Sequence, residues 1–322
     1  MENILLSIQH IFGLPAELIN QAAFLPEWTK MPIIACITFI PWLYFLYYLI
    51  ELLERFVLTH IAPFLKLCRR VGALIGITTT VIPECGYQVL ASTFYARKMI
   101  SKGTLLAFLI ACSDDALPLL FMDLSKASAI IPLVIIKAIV AVIVAVVIDL
   151  IFVFNTKIEN SNPVNLDINE PGCCHHKLMT IEHPPYWWTH PIVHTFNVFV
   201  FALVAMLFFE FCISNAYGSP EAMASAMMID SPIQVVAGAL FGLVPNSLTS
   251  VFIAVAFLKG VISFPTFLAA MITTTGLGLY TLGKYNKNNG DNSFITLILV
   301  VTAIVTGLLI FYNIGFLNNF VG

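Results

Sequence analysis

Hydrophobic residues in this chain come in long blocks, without the alternation of a half-buried strand or the one-sided spacing of a surface helix. Blocks at 33–53, 104–122, 127–154, 191–213, 264–283 and 293–315 are close to the roughly 20 residues with which a helix, rising about 1.5 Å per residue, crosses about 30 Å of hydrocarbon. Each is predicted to be a membrane-spanning helix. Two more blocks, 70–100 and 231–262, are broken in the middle, at Val81-Ile82-Pro83-Glu84-Cys85-Gly86 and at Leu243-Val244-Pro245-Asn246-Ser247. A half-piece of about 14 residues is only about 21 Å long as a helix, so these segments are predicted to be re-entrant hairpins or broken helices. Irregular backbone at that depth needs protein or water to satisfy its polar groups, and a cavity is expected at both breaks.

The second half of the chain repeats the first. A shift of 162 residues aligns 81–117 with 243–279 without a gap and places Pro83 on Pro245, Ser101 on Ser263, Thr104 on Thr266 and Arg97 on Lys259, with nine of 37 positions identical. Apolar sequences match easily, so the weight lies in the order of segments: a long helix, a broken pair and two long helices in each half. The fold class expected is an all-α polytopic membrane protein of about ten membrane segments, arranged as two inverted-topology repeats that each carry a broken or re-entrant hairpin. The repeats occupy 31–154 and 191–322, and a polar loop, 155–190, joins them. Residues 1–30, interrupted by Pro15 and lacking the basic cluster of a signal peptide, are read as an interfacial amphipathic helix.

Composition agrees with lipid as the main solvent: 59% of the residues are hydrophobic and 10% charged, against about 25% charged in soluble domains. The 18 acidic and 15 basic residues nearly cancel, which removes the electrostatic basis for a nucleic-acid partner. If each broken pair returns to the side it left, Arg55, Lys66, Arg69, Arg70, Arg97, Lys98, Lys102, Lys157, Lys177, Lys284 and Lys287 share one face. Lys30, Lys126 and Lys259 lie opposite, and Lys137 lies inside a span. The positive-inside rule makes the first face cytoplasmic and puts both termini outside, in the plasma (inner) membrane of a bacterium. The seven Cys form no disulfide framework.

Ionisable and polar groups inside these blocks are the candidates for chemistry, because apolar surroundings penalise them unless they serve a site. Glu84, Cys85 and Gln88 gather a carboxylate, a thiol and an amide at the first break, where Pro83 and Gly86 free backbone groups for a ligand. Ser113, Asp114 and Asp115 fall mid-span, and adjacent acids raise each other's pKa, so the pair is protonated, countered by a cation or bound to metal. Lys137, at similar depth on the next helix, is a counter-charge for one Asp and leaves the other uncompensated. Asp149 and Glu210, nearer block ends, are read as snorkelling or capping groups. The second break offers neutral oxygens from Asn246 and Ser247, and Thr273-Thr274-Thr275-Gly276 aligns with the Asp114 region; such Thr commonly bond back to their own helix.

Between the halves, Cys173, Cys174, His175 and His176, followed by His183, His190 and His194, form a Cys/His-rich stretch. Thiolate and imidazole suit soft and borderline metals. The spacing matches no zinc finger, so the alternatives are a loose cytoplasmic metal-capturing segment and a polar linker with an interfacial Pro-Pro-Tyr-Trp-Trp anchor. No HExxH, phosphate loop or nucleophile elbow is present, and the chain is not expected to be an enzyme or to hold a resident cofactor.

Ile82-Pro83-Glu84-Cys85-Gly86, the stretch from Ser101 through Ser113-Asp114-Asp115-Ala116-Leu117-Pro118, Lys137, Asp149, the central Cys/His stretch and Gly242-Leu243-Val244-Pro245-Asn246-Ser247 together resemble a family of ten-helix heavy-metal exporters. These are ArsP-like proteins assigned to arsenic efflux or manganese transport. The resemblance covers about residues 30 to 315 and implies a metal-exporting membrane transporter. The family pattern has Gln where Glu84 stands and a second Cys where Ser247 stands. That departure weighs against a two-thiolate arsenite site and moves the expectation toward a harder divalent cation such as Mn²⁺.

The functional expectation is a secondary transporter that exports a divalent metal by alternating access. Glu84, Cys85, Asp114 and Asp115 are its metal ligands, and Gln88, Ser113, Asn246 and Ser247 complete the substrate site. Asp114, Asp115 and Lys137 are candidates for proton coupling. An organic-anion or oxyanion transporter of the same architecture is the alternative, and a membrane scaffold or metal sensor is a third reading. The partners expected are lipid, the metal substrate and a second copy of the chain.

Overall fold

The computed structural model describes residues 19–22, 25–59, 86–112, 115–152 and 189–312. Most of the N-terminal helix expected within 1–30 falls outside these residues, with 27–30 opening the first helix below, and Pro83, Glu84, Cys85, Ser113, Asp114 and the Cys173–His176 cluster also lie outside. The described first half consists of α1 (Glu27–Thr59), α2 (Gly86–Ala96), α3 (Lys102–Ala111), α4 (Ala116–Leu120), α5 (Leu124–Ala127) and α6 (Ile130–Phe152). The second half consists of α7 (Thr189–Cys212), prolonged by a π turn over Ile213–Tyr217, then α8 (Pro220–Ala226), α9 (Pro232–Phe241), α10 (Ser247–Leu258), α11 (Phe264–Thr273), α12 (Gly278–Tyr285) and α13 (Asn289–Phe311). No strand occurs among the described residues.

Six helical stretches are long and apolar enough to cross a membrane: Glu27–Leu52, Lys102–Leu120, Ser125–Phe152, Pro191–Tyr217, Phe264–Tyr285 and Asn289–Phe311. They coincide with the six uninterrupted blocks of the sequence. Burial sorts them into two layers: nearly all the described residues of Lys102–Leu120 and most of Phe264–Tyr285 are buried, while only 22–33% of the most apolar stretch in each of the other four is buried. The outer four expose large apolar side chains, among them Phe45, Ile143, Leu150, Phe196, Val204 and Leu297. That composition is what hydrocarbon contact selects, because helices satisfy their own backbone and need no polar coat there.

The helix bounds recur at the 162-residue offset seen in the sequence: Glu27 and Thr189 open α1 and α7, and α3 (Lys102–Ala111) is matched residue for residue by α11 (Phe264–Thr273). Ala116 and Gly278 likewise open α4 and α12. Packing is exchanged between the halves, with α2 resting on α12 and α10 on α4, and α3 also touches α11 directly. The α1–α7 pair and the α3–α6 and α11–α13 pairs complete the frame.

The α3–α6 contact is tight because Gly103 faces α6 without a side chain: a Cβ there would lie 2.3 Å from the Ala145 carbonyl oxygen. Small residues at helix contacts of this kind let backbones approach in lipid. Asp149 uses the approach to cap α3, accepting from Gly103 N at 2.8 Å and from Ser101 Oγ at 2.8 Å. The capping role expected for Asp149 is thus realised across two helices. In the second half the equivalent helix start is held by Gln234 on α9, whose Oε1 accepts from Ser263 N, Ser263 Oγ and Thr266 Oγ1 at 3.1, 3.1 and 2.9 Å.

Two expectations are corrected. The blocks 104–122 and 264–283, read as continuous helices, are each interrupted at mid-length. α3 stops at Ala111 with Cys112 extended (φ −56°, ψ 133°), and α11 stops at Thr273 with Thr274 extended (φ −69°, ψ 105°) and Gly276 at φ +48°. Hydropathy does not register such breaks, because the carbonyls that they free are taken by side chains from other helices.

Candidate functional site

The two interruptions meet in the centre of the molecule. Lys137, fully buried on α6, donates from Nζ to Cys112 O at 2.7 Å and to Met271 O at 2.9 Å, so one ammonium sits on the carbonyl ends of both α3 and α11. The C-terminal end of a helix carries about half a negative charge, and two facing ends offset a buried cation. Lys137, expected as a counter-charge for one of the Asp pair, thus bonds backbone carbonyls, and Asp114 lies outside the described residues.

Gln88, fully buried on α2, also reaches both broken helices. Its Nε2 donates to Leu109 O of α3 at 3.5 Å and to Thr274 O beyond α11 at 3.3 Å, and its Oε1 has no hydrogen-bond partner among the described residues. Thr273 Oγ1 and Thr274 Oγ1 bond back to Ala270 O at 3.0 and 2.8 Å, as such side chains commonly do. Thr275 Oγ1 and Ser92 Oγ are buried without a partner among the described residues.

Asp115 has a different setting. Its Oδ1 accepts from Tyr47 OH of α1 at 2.9 Å and lies 3.0 Å from His194 Nε2 of α7. All three side chains are buried, and the Tyr47 and His194 rings meet edge-on at 4.3 Å. Although His194 follows the Cys/His stretch of the connecting loop in sequence, it belongs to α7 and is buried, and the available signal was its position inside the apolar block 191–213. Tyr47 gave no comparable signal.

The second break expected around Pro245 is present as the non-helical turn between α9 and α10. Asn246 there is exposed, and its Oδ1 caps α10 by accepting from Leu248 N at 3.0 Å. Ser247 is the first residue of α10. Among the described residues no group of three or more His, Cys, Asp and Glu side chains could hold a metal ion; Glu84, Cys85 and Asp114, three of the four expected ligands, lie outside them. Gln88, Lys137 and the two interruptions converge, while Asp115 is bound to the α1–α7 pair. Glu210 pairs with Lys259 at 2.5 Å. No family model matches the chain, and neither does any curated protein or solved structure.

Proposed function

We propose that the chain is a secondary transporter that exports a divalent or heavy metal ion, Mn²⁺ above others, through two inverted-topology repeats. The observation that carries this reading is the pair of interrupted helices at the same place in each half, sheathed by the outer helices, with Lys137 and Gln88 each bonded to both. Secondary transporters bind cargo near mid-membrane at broken helices, where carbonyl ends favour cations. The exchanged packing of α2 on α12 and α10 on α4 supports a two-fold relation between the halves. In this reading Glu84, Cys85 and Asp114 supply the metal ligands beside Gln88 and Ser113, Asp115 is held apart by Tyr47 and His194, and proton entry onto the buried acids drives release outside.

The alternative cargo, an oxyanion or organic anion, draws support from the buried ammonium of Lys137. Two of its N–H groups are taken by Cys112 O and Met271 O, which leaves fewer of them for an anion. The deciding experiment is Mn²⁺ flux in proteoliposomes with and without a pH gradient, set beside Asp114→Asn and Glu84→Gln. Loss of flux in both variants supports the site, and unchanged Mn²⁺ flux in both discards it.

A further inference from the structure

The carbonyls that hold Lys137 and those that hold Gln88 are counterparts at the 162-residue offset: Cys112 corresponds to Thr274, and Met271 corresponds to Leu109. One pair carries an ammonium at 2.7 and 2.9 Å, and its counterpart carries a neutral amide at 3.3 and 3.5 Å. The residue that would supply a second ammonium, at the position equivalent to Lys137, is Leu299, which is apolar and fully buried. Of two carbonyl pairs that correspond at the 162-residue offset, each with one member from either half, one is thus met by a cation and the other by a stretched amide.

Around the second pair are buried oxygens with nothing to bind. Gln88 Oε1 and Thr275 Oγ1 are unpartnered among the described residues, as is Ser92 Oγ one turn along the Gln88 face of α2. An unmet buried polar atom costs about 1–3 kcal/mol, so oxygens left in this state are suited to a ligand. Gly278 brings the elements together here: a Cβ on it would lie 3.0 Å from Gln88 Cβ and 3.1 Å from Leu109 Cδ2.

We propose that Leu109 O, Thr274 O, Gln88 Oε1 and Thr275 Oγ1 form a site for a small alkali cation of Na⁺ size, the untethered counterpart of the Lys137 ammonium. Rotation of the Gln88 carboxamide would replace its N–H with Oε1 toward the ion. The donors are neutral oxygens, which hard cations favour, whereas divalent ions draw on carboxylates. The ammonium one helical turn away repels a double charge more than a single one. The assignment of the site stands apart from the transport reading; the role of the ion as a co-substrate rests on it.

The test uses the full chain in detergent and in proteoliposomes, in NaCl or choline chloride at equal ionic strength, with ²²Na⁺ binding and thermal unfolding as readouts. Saturable ²²Na⁺ binding and a higher unfolding midpoint in NaCl are expected. Thr275→Val, which keeps shape and removes one donor, weakens the apparent Na⁺ affinity about tenfold. Leu299→Lys delivers an ammonium to the second carbonyl pair and abolishes the Na⁺ response; should that variant fail to fold, Thr275→Val decides alone. Equal midpoints in the two salts with no bound ²²Na⁺, the result for a site that holds only water, overturn the proposal, as does an undiminished Na⁺ response in Thr275→Val. Mn²⁺ flux without Na⁺ binding removes this site and leaves the transporter reading in place; Na⁺ binding without flux of any metal does the reverse.

Discussion

His194 Nε2 lies 3.0 Å from Asp115 Oδ1, and through that contact the second half of the chain holds the carboxylate that follows the interruption of the first. Tyr47 completes the arrangement from α1. A buried carboxylate with hydrogen-bond donors on one oxygen is stable only while they remain, because desolvation of a lone charge is severe. Tyr47→Phe removes a single hydroxyl and is expected to lower stability by about 1–2 kcal/mol. Asp115→Ala, which leaves His194 and the Tyr47 hydroxyl without their shared acceptor, is expected to cost more. Thermal unfolding of the purified variants checks the order, and equal effects would show that the carboxylate is not the hub.

Lys137→Met keeps the volume and removes the charge, leaving Cys112 O and Met271 O without their donor. A loss of about 3–5 kcal/mol is expected, as for other broken buried charge contacts. Lys137→Arg retains the charge but brings a planar group into a site shaped for a compact one, and should fall between the two. Chemical denaturation in a mild detergent reads both, and a Met variant as stable as the parent would remove the ammonium from the frame of the molecule.

Gly103→Ala tests the closest helix contact. With the Ala145 carbonyl at 2.3 Å and Asp149 Cγ at 2.5 Å from the added methyl, α3 must move from α6 and the Asp149 cap must loosen. A destabilisation of about 1–3 kcal/mol or more is expected. Gly283→Ala, where nothing lies within 4 Å, is the control and should be neutral or slightly stabilising.

Asp123 gives a pH signature. The Ser125 hydroxyl, which donates to its Oδ1 at 2.7 Å, holds its carboxyl below the ordinary range, with the Ser125 backbone N–H at 2.9 Å assisting as a cap of α5. A depressed folded-state pKa means stability that is fully present above the unfolded value, near 4, and lost as pH falls through the folded one. Asp123→Asn should therefore differ from the parent by about 1 kcal/mol or less at neutral pH, and the difference should shrink in acid. Unfolding midpoints measured across that range check it.

The blocks of hydrophobic residues mark the six stretches that are long and apolar enough to cross a membrane, since that capacity is a matter of length and composition, which the sequence carries directly. Pro245 and Asn246 likewise mark the turn between α9 and α10. The interruptions at Cys112 and Thr274 were not legible as breaks, because Cys, Ser and Thr raise no alarm in an apolar window and the helix ends are stabilised from elsewhere, by Lys137 and Gln88. Lys137 was visible as an anomaly, but which atoms it binds depends on how α3 and α11 cross. The same holds for His194, which sits next to a polar loop in the chain and next to Asp115 in space.

Lysine stands on one carbonyl pair, and at the position matching it 162 residues later stands Leu299, while the second pair is met by the Gln88 amide carried on a different helix. Helix bounds that correspond residue for residue thus enclose a buried centre that is uneven in charge: an ammonium lies toward one carbonyl pair and only a neutral dipole toward its counterpart.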